Sequence, residues 1–269
     1  MNRPGSRPAG SKSPLSSAVA VVAWLSYGFL ILPSLIIIPM SFGNKDELIF
    51  PPESFSLDLY RKYFTESNWI DATLESFKIA ILSTGLSLLL GVSAAYALSR
   101  LEFRGKKLVT LFVLSPMFVP SIVLALALYL YLGSARLTGT TLGMTVSHTI
   151  VTMPFVVVTA LAGLRHIDRN LEIAATVMGA GRMMVLRAVT LPLLRPTVLV
   201  GGLFAFLTSF DEVVVSYFIS NVRQQTLPVK MYSSIHWEIS PVLAAISTLL
   251  TLLSLGICLV TVALRKRST

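Results

Sequence analysis

Leu171-Glu172-Ile173-Ala174-Ala175-Thr176-Val177-Met178-Gly179-Ala180, with Val189-Thr190-Leu191-Pro192 downstream, is a polar, helix-forming segment set between two long apolar runs. Asp168 or Asn170 can cap a helix start, and Glu172 in the first turn complements the helix dipole. Leu164, Ile167, Leu171, Ala174, Ala175 and Met178 recur at three- and four-residue spacing, which predicts an apolar stripe on one face. Gly179-Ala180-Gly181 breaks the helix. A second short helix is predicted over 182–189, ending because Pro192 disfavours helix at Leu191. The reading of 165–194 is therefore a helix–break–helix elbow whose small residues allow close backbone approach. It either docks on another protein or packs on its own bundle.

Working outward, the composition is that of a membrane protein. Apolar residues make up 54% of the 269 and charged residues 13%, against about 25% charged in soluble domains; mean hydropathy is +0.75. Six apolar runs are long enough to cross a bilayer, at 19–42, 73–98, 108–132, 142–164, 196–219 and 242–264. The second carries Glu75 and Lys78 near one end, where Lys78 can snorkel to the interface. With both termini placed in the cytoplasm, fifteen of the 22 Lys and Arg fall inside. Six fall outside (Lys45, Arg61, Lys62, Arg136, Arg223 and Lys230), and Lys78 lies in a span. This bias sets the orientation. The net charge of +9 is thus topological and gives no support to nucleic-acid binding.

Residues 1–17, rich in Pro, Gly, Ser and Arg, are expected to be a disordered cytoplasmic tail ahead of one transmembrane domain, 18–269. The first apolar run exceeds a signal-peptide core and lacks a small-x-small cleavage site, so it is read as a retained span. Tyr and Trp fall mostly near span boundaries, as interfacial aromatics do. The longest outer segment, 43–71, holds two prolines that set an extended chain, then a short amphipathic helix. Pro33, Pro39, Pro116, Pro120 and Pro154 lie inside spans. Pro116 and Pro120, with Ser115 and Ser121, make the third span the one expected to bend, either around a pathway or as a packing irregularity. The lone cysteine, Cys258, is expected to pack in the last span.

The elbow resembles the cytoplasmic coupling loop of bacterial ABC importer permeases, whose pattern is Glu-Ala-Ala, three residues, Gly, nine residues, a branched aliphatic, any residue, then Leu-Pro. Ala174, Ala175, Gly179, Val189, Leu191 and Pro192 fall on that register. One departure stands out: the slot before the two alanines holds Ile173, and the acid is one position earlier, at Glu172. Phe50-Pro51-Pro52-Glu53-Ser54-Phe55-Ser56-Leu57-Asp58-Leu59-Tyr60 is similar to an outer segment common in the same superfamily. The resemblance implies an all-α membrane fold of six transmembrane helices, the type I (MetI-like) importer bundle. It implies an ABC ATPase dimer docked on Glu172, Ala174, Ala175, Gly179, Ala180, Leu191 and Pro192. It also implies a second permease subunit forming a heterodimer with this chain, an extracytoplasmic solute-binding protein, and residence in the bacterial inner membrane among its lipids.

The stretch from Phe206 to Ile219, followed by Leu227-Pro228-Val229-Lys230-Met231-Tyr232, looks like the spermidine/putrescine branch of that family. Relatives in the branch are linked to polyamines, opines, aminoalkylphosphonates, thiamine and ferric iron. The resemblance implies a small, amine-bearing solute. Asp211 and Glu212 sit in the fifth apolar run, where acids are expensive and face a cavity or a partner. Either one offers negative potential to a cationic solute, with Thr208, Ser209 and Ser216 beside the same route, or both hold a helix break or subunit interface.

Other chemistries find no footing. A P-loop needs Gly-Lys-Ser/Thr entering a helix, and the nearest string, Gly5 to Ser13, has Ser11 between Gly10 and Lys12. His148, His166 and His236 lack metal spacing and are read as structural. Gly139 and Gly143 match a helix-packing motif but sit at a loop edge. No catalytic residue, cofactor or metal is expected. The alternative class is an ATP-independent secondary transporter or channel. It would carry a full set of midplane polar sites, and the chain has no visible internal repeat or inverted pair of broken spans.

Overall fold

A computed structural model describes residues 14–43, 49–221, 224–237 and 240–266, and their side chains except at 14–18, 67 and 257–266. Arg3, Arg7, Lys12, Lys45, Arg223 and Arg267, all counted in the charge bias, lie outside the described residues, as do residues 1–13 of the expected tail. The packing expected of Cys258 concerns a side chain outside the described set. Among the described residues there are helices and no strands. In chain order they are α1 (Pro14–Met40), α2 (Asp58–Thr65), α3 (Ser67–Arg100), α4 (Lys106–Leu114), α5 (Ser121–Ser134), α6 (Thr141–His166), α7 (Arg169–Val177), α8 (Arg182–Val185), α9 (Leu191–Phe210), α10 (Val214–Ile219), α11 (Leu227–Trp237) and α12 (Val242–Lys266).

Four helical stretches are long and apolar enough to cross a bilayer: Val19–Met40, Asn68–Arg100, Thr141–His166 and Arg182–Phe210. The third expected span is a bent pair, Lys106–Met117 and Ser121–Ser134, meeting at 103°. Pro116 and Pro120 explain the break: the chain passes through a 3₁₀ turn, Ser115–Met117, and restarts after Pro120. The sixth expected span is α12, whose fully described apolar part is Val242–Gly256.

Several boundaries differ from the sequence expectation, the second span among them, whose helix α3 starts at Ser67 rather than near 73. Helix α1 starts at Pro14, so 14–17 of the expected tail are helical; a proline at the first helical position gives up only an N–H that has no partner anyway. The expected fifth span, 196–219, is two helices, because α9 stops at Phe210 and α10 begins at Val214. Pro192 does not end the second elbow helix. Helix α8 passes through a π turn, Leu186–Thr190, straight into α9. A proline at the second position of α9 gives up only an N–H of the helix's first turn, and the wider π turn leads the chain into it.

The chain forms two compact units. In the first, α12 packs on both α1 and α2. Helix α2 is the amphipathic piece expected after the prolines: Leu59 and Tyr63, four apart, are buried. The Tyr60 hydroxyl lies 2.7 Å from that of Ser41, and the Ser56 N–H donates to the Phe42 carbonyl at 2.6 Å. Helix α1 is apolar all round and exposes Trp24, Phe29 and Leu30, the surface of a lipid-facing helix.

In the second unit α3, α6 and α9 pack pairwise into a three-helix core. Val92, Ala95, Leu98, Val156, Val157, Ala160, Leu164, Leu194 and Ala205 fill it. Small residues set the spacing, as membrane helices without a hydrophobic drive between them require. A Cβ on Gly91 would stand 2.9 Å from Val156 Cγ1. A second cluster, of Ile79, Leu128, Leu132, Met144, Val215 and Ile219 among others, seats α10 against α5 and α6.

Candidate functional site

The elbow is built as the sequence suggests at its ends. Asp168 caps α7, its carboxylate accepting the Asn170 N–H at 2.9 Å. Gly179 closes the helix at φ +92, and a Cβ placed there would meet nothing within 4 Å; the left-handed backbone, not crowding, is what suits glycine here. The Gly179 and Ala180 N–H groups turn back onto the Thr176 and Ala175 carbonyls.

The faces of α7 differ from the predicted stripe. Its buried residues are Glu172 and Ala175, whereas Ala174 and Leu171 are exposed. Val177 and Met178 are each 82% exposed, and Ile173, Met183 and Met184 are exposed beside them in sequence. Gly179 is also exposed, and Ala180, Leu191 and Pro192 are half-buried.

Glu172 turns inward. Its Oε2 accepts from Arg100 Nε at 2.8 Å, and its Oε1 accepts from the Thr190 hydroxyl at 2.9 Å. The Arg100 and Glu172 side chains are 13% and 9% exposed. The same guanidinium reaches the Leu164 and Ile167 carbonyls at 3.4 and 3.5 Å, completing the C-terminal end of α6, where a cation complements the dipole. Sequence reading missed both partners. Arg100 looks like any cation at a span end, and Thr190 like any residue of a loop. A cleft of about 240 Å³ opens beside this cluster, lined by Tyr96, Arg100, Arg169, Thr176 and Arg182 among others.

The α9–α10 break carries the second set of candidates. Asp211 is exposed at the C-terminal end of α9. Glu212 is half-buried, and its Oε1 accepts the Val215 N–H at 3.0 Å, which caps α10. Thr208 is half-buried. Ser209 and Ser216 face inward, away from any surface: both are buried and hydrogen-bond the two nitrogens of His148, each at 2.8 Å. Ser83 adds a 2.9 Å bond to Ser209. His148, on α6, is thus the hub of a polar network joining α3, α9 and α10, and Ser87 with Thr152 forms a further α3–α6 bond at 2.7 Å. The local sequence signal was the cluster of Thr145, Ser147, Thr149 and Thr152 around His148.

A cavity of about 640 Å³ is lined by Asn68, Asp71, Glu75, Lys78, Gln225 and Lys230 among others. Its acids and lysines balance, Glu75 pairs with Lys78 at 3.0 Å, and Lys230 lies 4.6 Å over the Trp69 ring. Among the described residues no group of three or more His, Cys, Asp or Glu could hold a metal ion.

Helices long and apolar enough to cross a bilayer, an apolar pair bent at prolines, and a polar elbow running into the bundle are the marks of a multi-pass membrane protein. The chain belongs to the family described as binding-protein-dependent transport system inner membrane component, which matches residues 87–268. It is 32% identical over 245 residues to the spermidine/putrescine transport system permease protein PotC of Haemophilus influenzae, covering 90% of this chain and 94% of that protein. The PotC protein of Escherichia coli K12 is 34% identical over 232 residues, 85% of this chain and 86% of the other. In fold it matches a bacterial alginate ABC transporter solved with an alginate pentasaccharide-bound periplasmic protein, at TM-score 0.74, 17% identity and 96% of each chain. Family membership disfavours the secondary-transporter alternative.

Proposed function

We propose that the chain is the pore subunit of an ATP-driven importer that carries a polyamine-like, amine-bearing solute across the bacterial inner membrane, with both termini in the cytoplasm. It hydrolyses no ATP itself. An ATPase dimer docks on the elbow, a second and non-identical permease completes the pore, and an extracytoplasmic solute-binding protein delivers the cargo. The observation that carries the docking reading is the apolar surface of Ile173, Val177, Met178, Met183 and Met184. It is exposed on a polar elbow between apolar helices, at the register of the family's coupling loop. Exposed apolar surface of this kind marks an interaction site.

Glu172 is removed from the docking surface by its internal bonds, and contact falls to Ala174, Gly179 and their exposed apolar neighbours. The spermidine/putrescine relatives support an amine as cargo. At the α9–α10 break Asp211 is the carboxylate free to meet one, since Glu212 caps α10 and Ser209 is held by His148. Co-expression with a candidate ATPase, second permease and binding protein from the same genome, then uptake of labelled spermidine into proteoliposomes, tests this reading. ATP-dependent uptake is expected. A chain that purifies without any ATPase sinks the docking reading; a complex whose ATP hydrolysis ignores spermidine and putrescine sinks the cargo.

A further inference from the structure

The Arg100–Glu172–Thr190 cluster joins four pieces of chain through one carboxylate. Glu172 belongs to α7, Thr190 to the foot of α9, and Arg100 to the last turn of α3. Through Leu164 and Ile167 the guanidinium also holds the end of α6. All three members of the α3–α6–α9 core are therefore tied to the elbow at a single buried point.

The backbone route between the same elements is irregular. It runs through Gly179, left-handed with open space where a Cβ would stand, and then through the π turn 186–190, an irregularity that concentrates at functional sites. A push on Val177 or Met178 would flex this covalent route before it moved α9. The carboxylate is the stiff route. Stability alone gives no reason for it, because a buried ion pair is often matched or bettered by apolar residues of similar volume. What a doubly bonded carboxylate adds is fixed geometry between elements.

We infer that Arg100, Glu172 and Thr190 form the strut that transmits motion of the docked elbow into the helix bundle. They are positioning residues and need touch neither nucleotide nor solute. The inference rests on the docking reading above, and its test separates the two.

The assay uses the assembled complex in a Cys258→Ser background, with Tyr217→Cys as reporter on α10. Tyr217 is half exposed and outside the strut. Its maleimide labelling rate is compared between the nucleotide-free and ADP–vanadate-trapped complex, which requires no knowledge of the cargo. Between coupled sites a change of about 5-fold or more is expected. In Thr190→Val and Glu172→Gln, vanadate should still arrest ATP hydrolysis while the change at residue 217 falls below about 2-fold. Thr190→Ser, which keeps the hydroxyl, should restore it. A purely structural role would lower the yield of complex without selectively removing the nucleotide response. Retention of the full response in both Thr190→Val and Glu172→Gln overturns the strut. The docking reading fails separately, if wild-type complex retains no ATPase or if Met178→Cys crosslinks to none.

Discussion

His148 offers a sharp energetic test because its ring is 1% exposed and each nitrogen has one hydroxyl partner at 2.8 Å. Replacement by Leu keeps most of the bulk and removes both bonds. Ser209 retains Ser83 at 2.9 Å, whereas Ser216, fully buried, loses its only side-chain partner shown in the structure. An unpaired buried hydroxyl costs about 1–3 kcal/mol, and an interhelical bond inside a membrane protein contributes about 0.6 and at most about 1.7 kcal/mol. His148→Leu should therefore lose about 1–3 kcal/mol. His148→Ala adds a cavity and should lose at least about 2 kcal/mol more. The assay is equilibrium unfolding in mixed micelles, followed by tryptophan fluorescence. A double-mutant cycle with Ser216→Ala should give a coupling of about 1 kcal/mol, since the second deletion removes the group that the first left stranded. Strict additivity, within about 0.3 kcal/mol, would refute the hub, because independent sites behave that way.

Val177→Asp or Met178→Glu should abolish co-purification of the ATPase while leaving the chain's own unfolding within about 0.5 kcal/mol of wild type, as both positions are exposed; loss of fold instead counts against a docking surface. Asp211→Asn should reduce spermidine uptake without affecting subunit recovery, whereas Glu212→Ala should lose about 1 kcal/mol of stability through the α10 cap; the reverse pattern would exchange their roles. Gly91→Val should destabilise by about 1–3 kcal/mol through forced separation of α3 and α6, read in the same micelle titration, and an unchanged midpoint would mean that the helices are not in contact there. Gly179→Ala should lose about 1 kcal/mol from its left-handed backbone, and a neutral result would argue against the turn.

Much of the architecture was legible because local physics fixes it. A bilayer demands long apolar helices, and 142–164 reads almost as the observed Thr141–His166. Prolines 116 and 120 foretold the bent span, and Asp168 and Gly179 foretold the limits of α7. The α9–α10 break was harder, since Asp211 and Glu212 interrupt a run whose apolar content continues on both sides. Pro192 misled for the opposite reason: a proline was expected to stop the elbow helix, but a π turn before it carries the chain onward into α9.

The sequence by itself determined the class of protein, an all-helical fold with long apolar helices, and the helix break at Gly179, because apolar length, proline chemistry and glycine conformation act within a few residues. Only the tertiary structure decided what the polar side chains do. Glu172, read as a docking residue, is folded inward onto Arg100 and Thr190, 72 and 18 residues away in sequence. Ser209, read as lining a route, is spent on His148, 61 residues away. Such partners are chosen by how helices pack, and no periodicity along the chain records which hydroxyl or guanidinium will arrive opposite a given carboxylate.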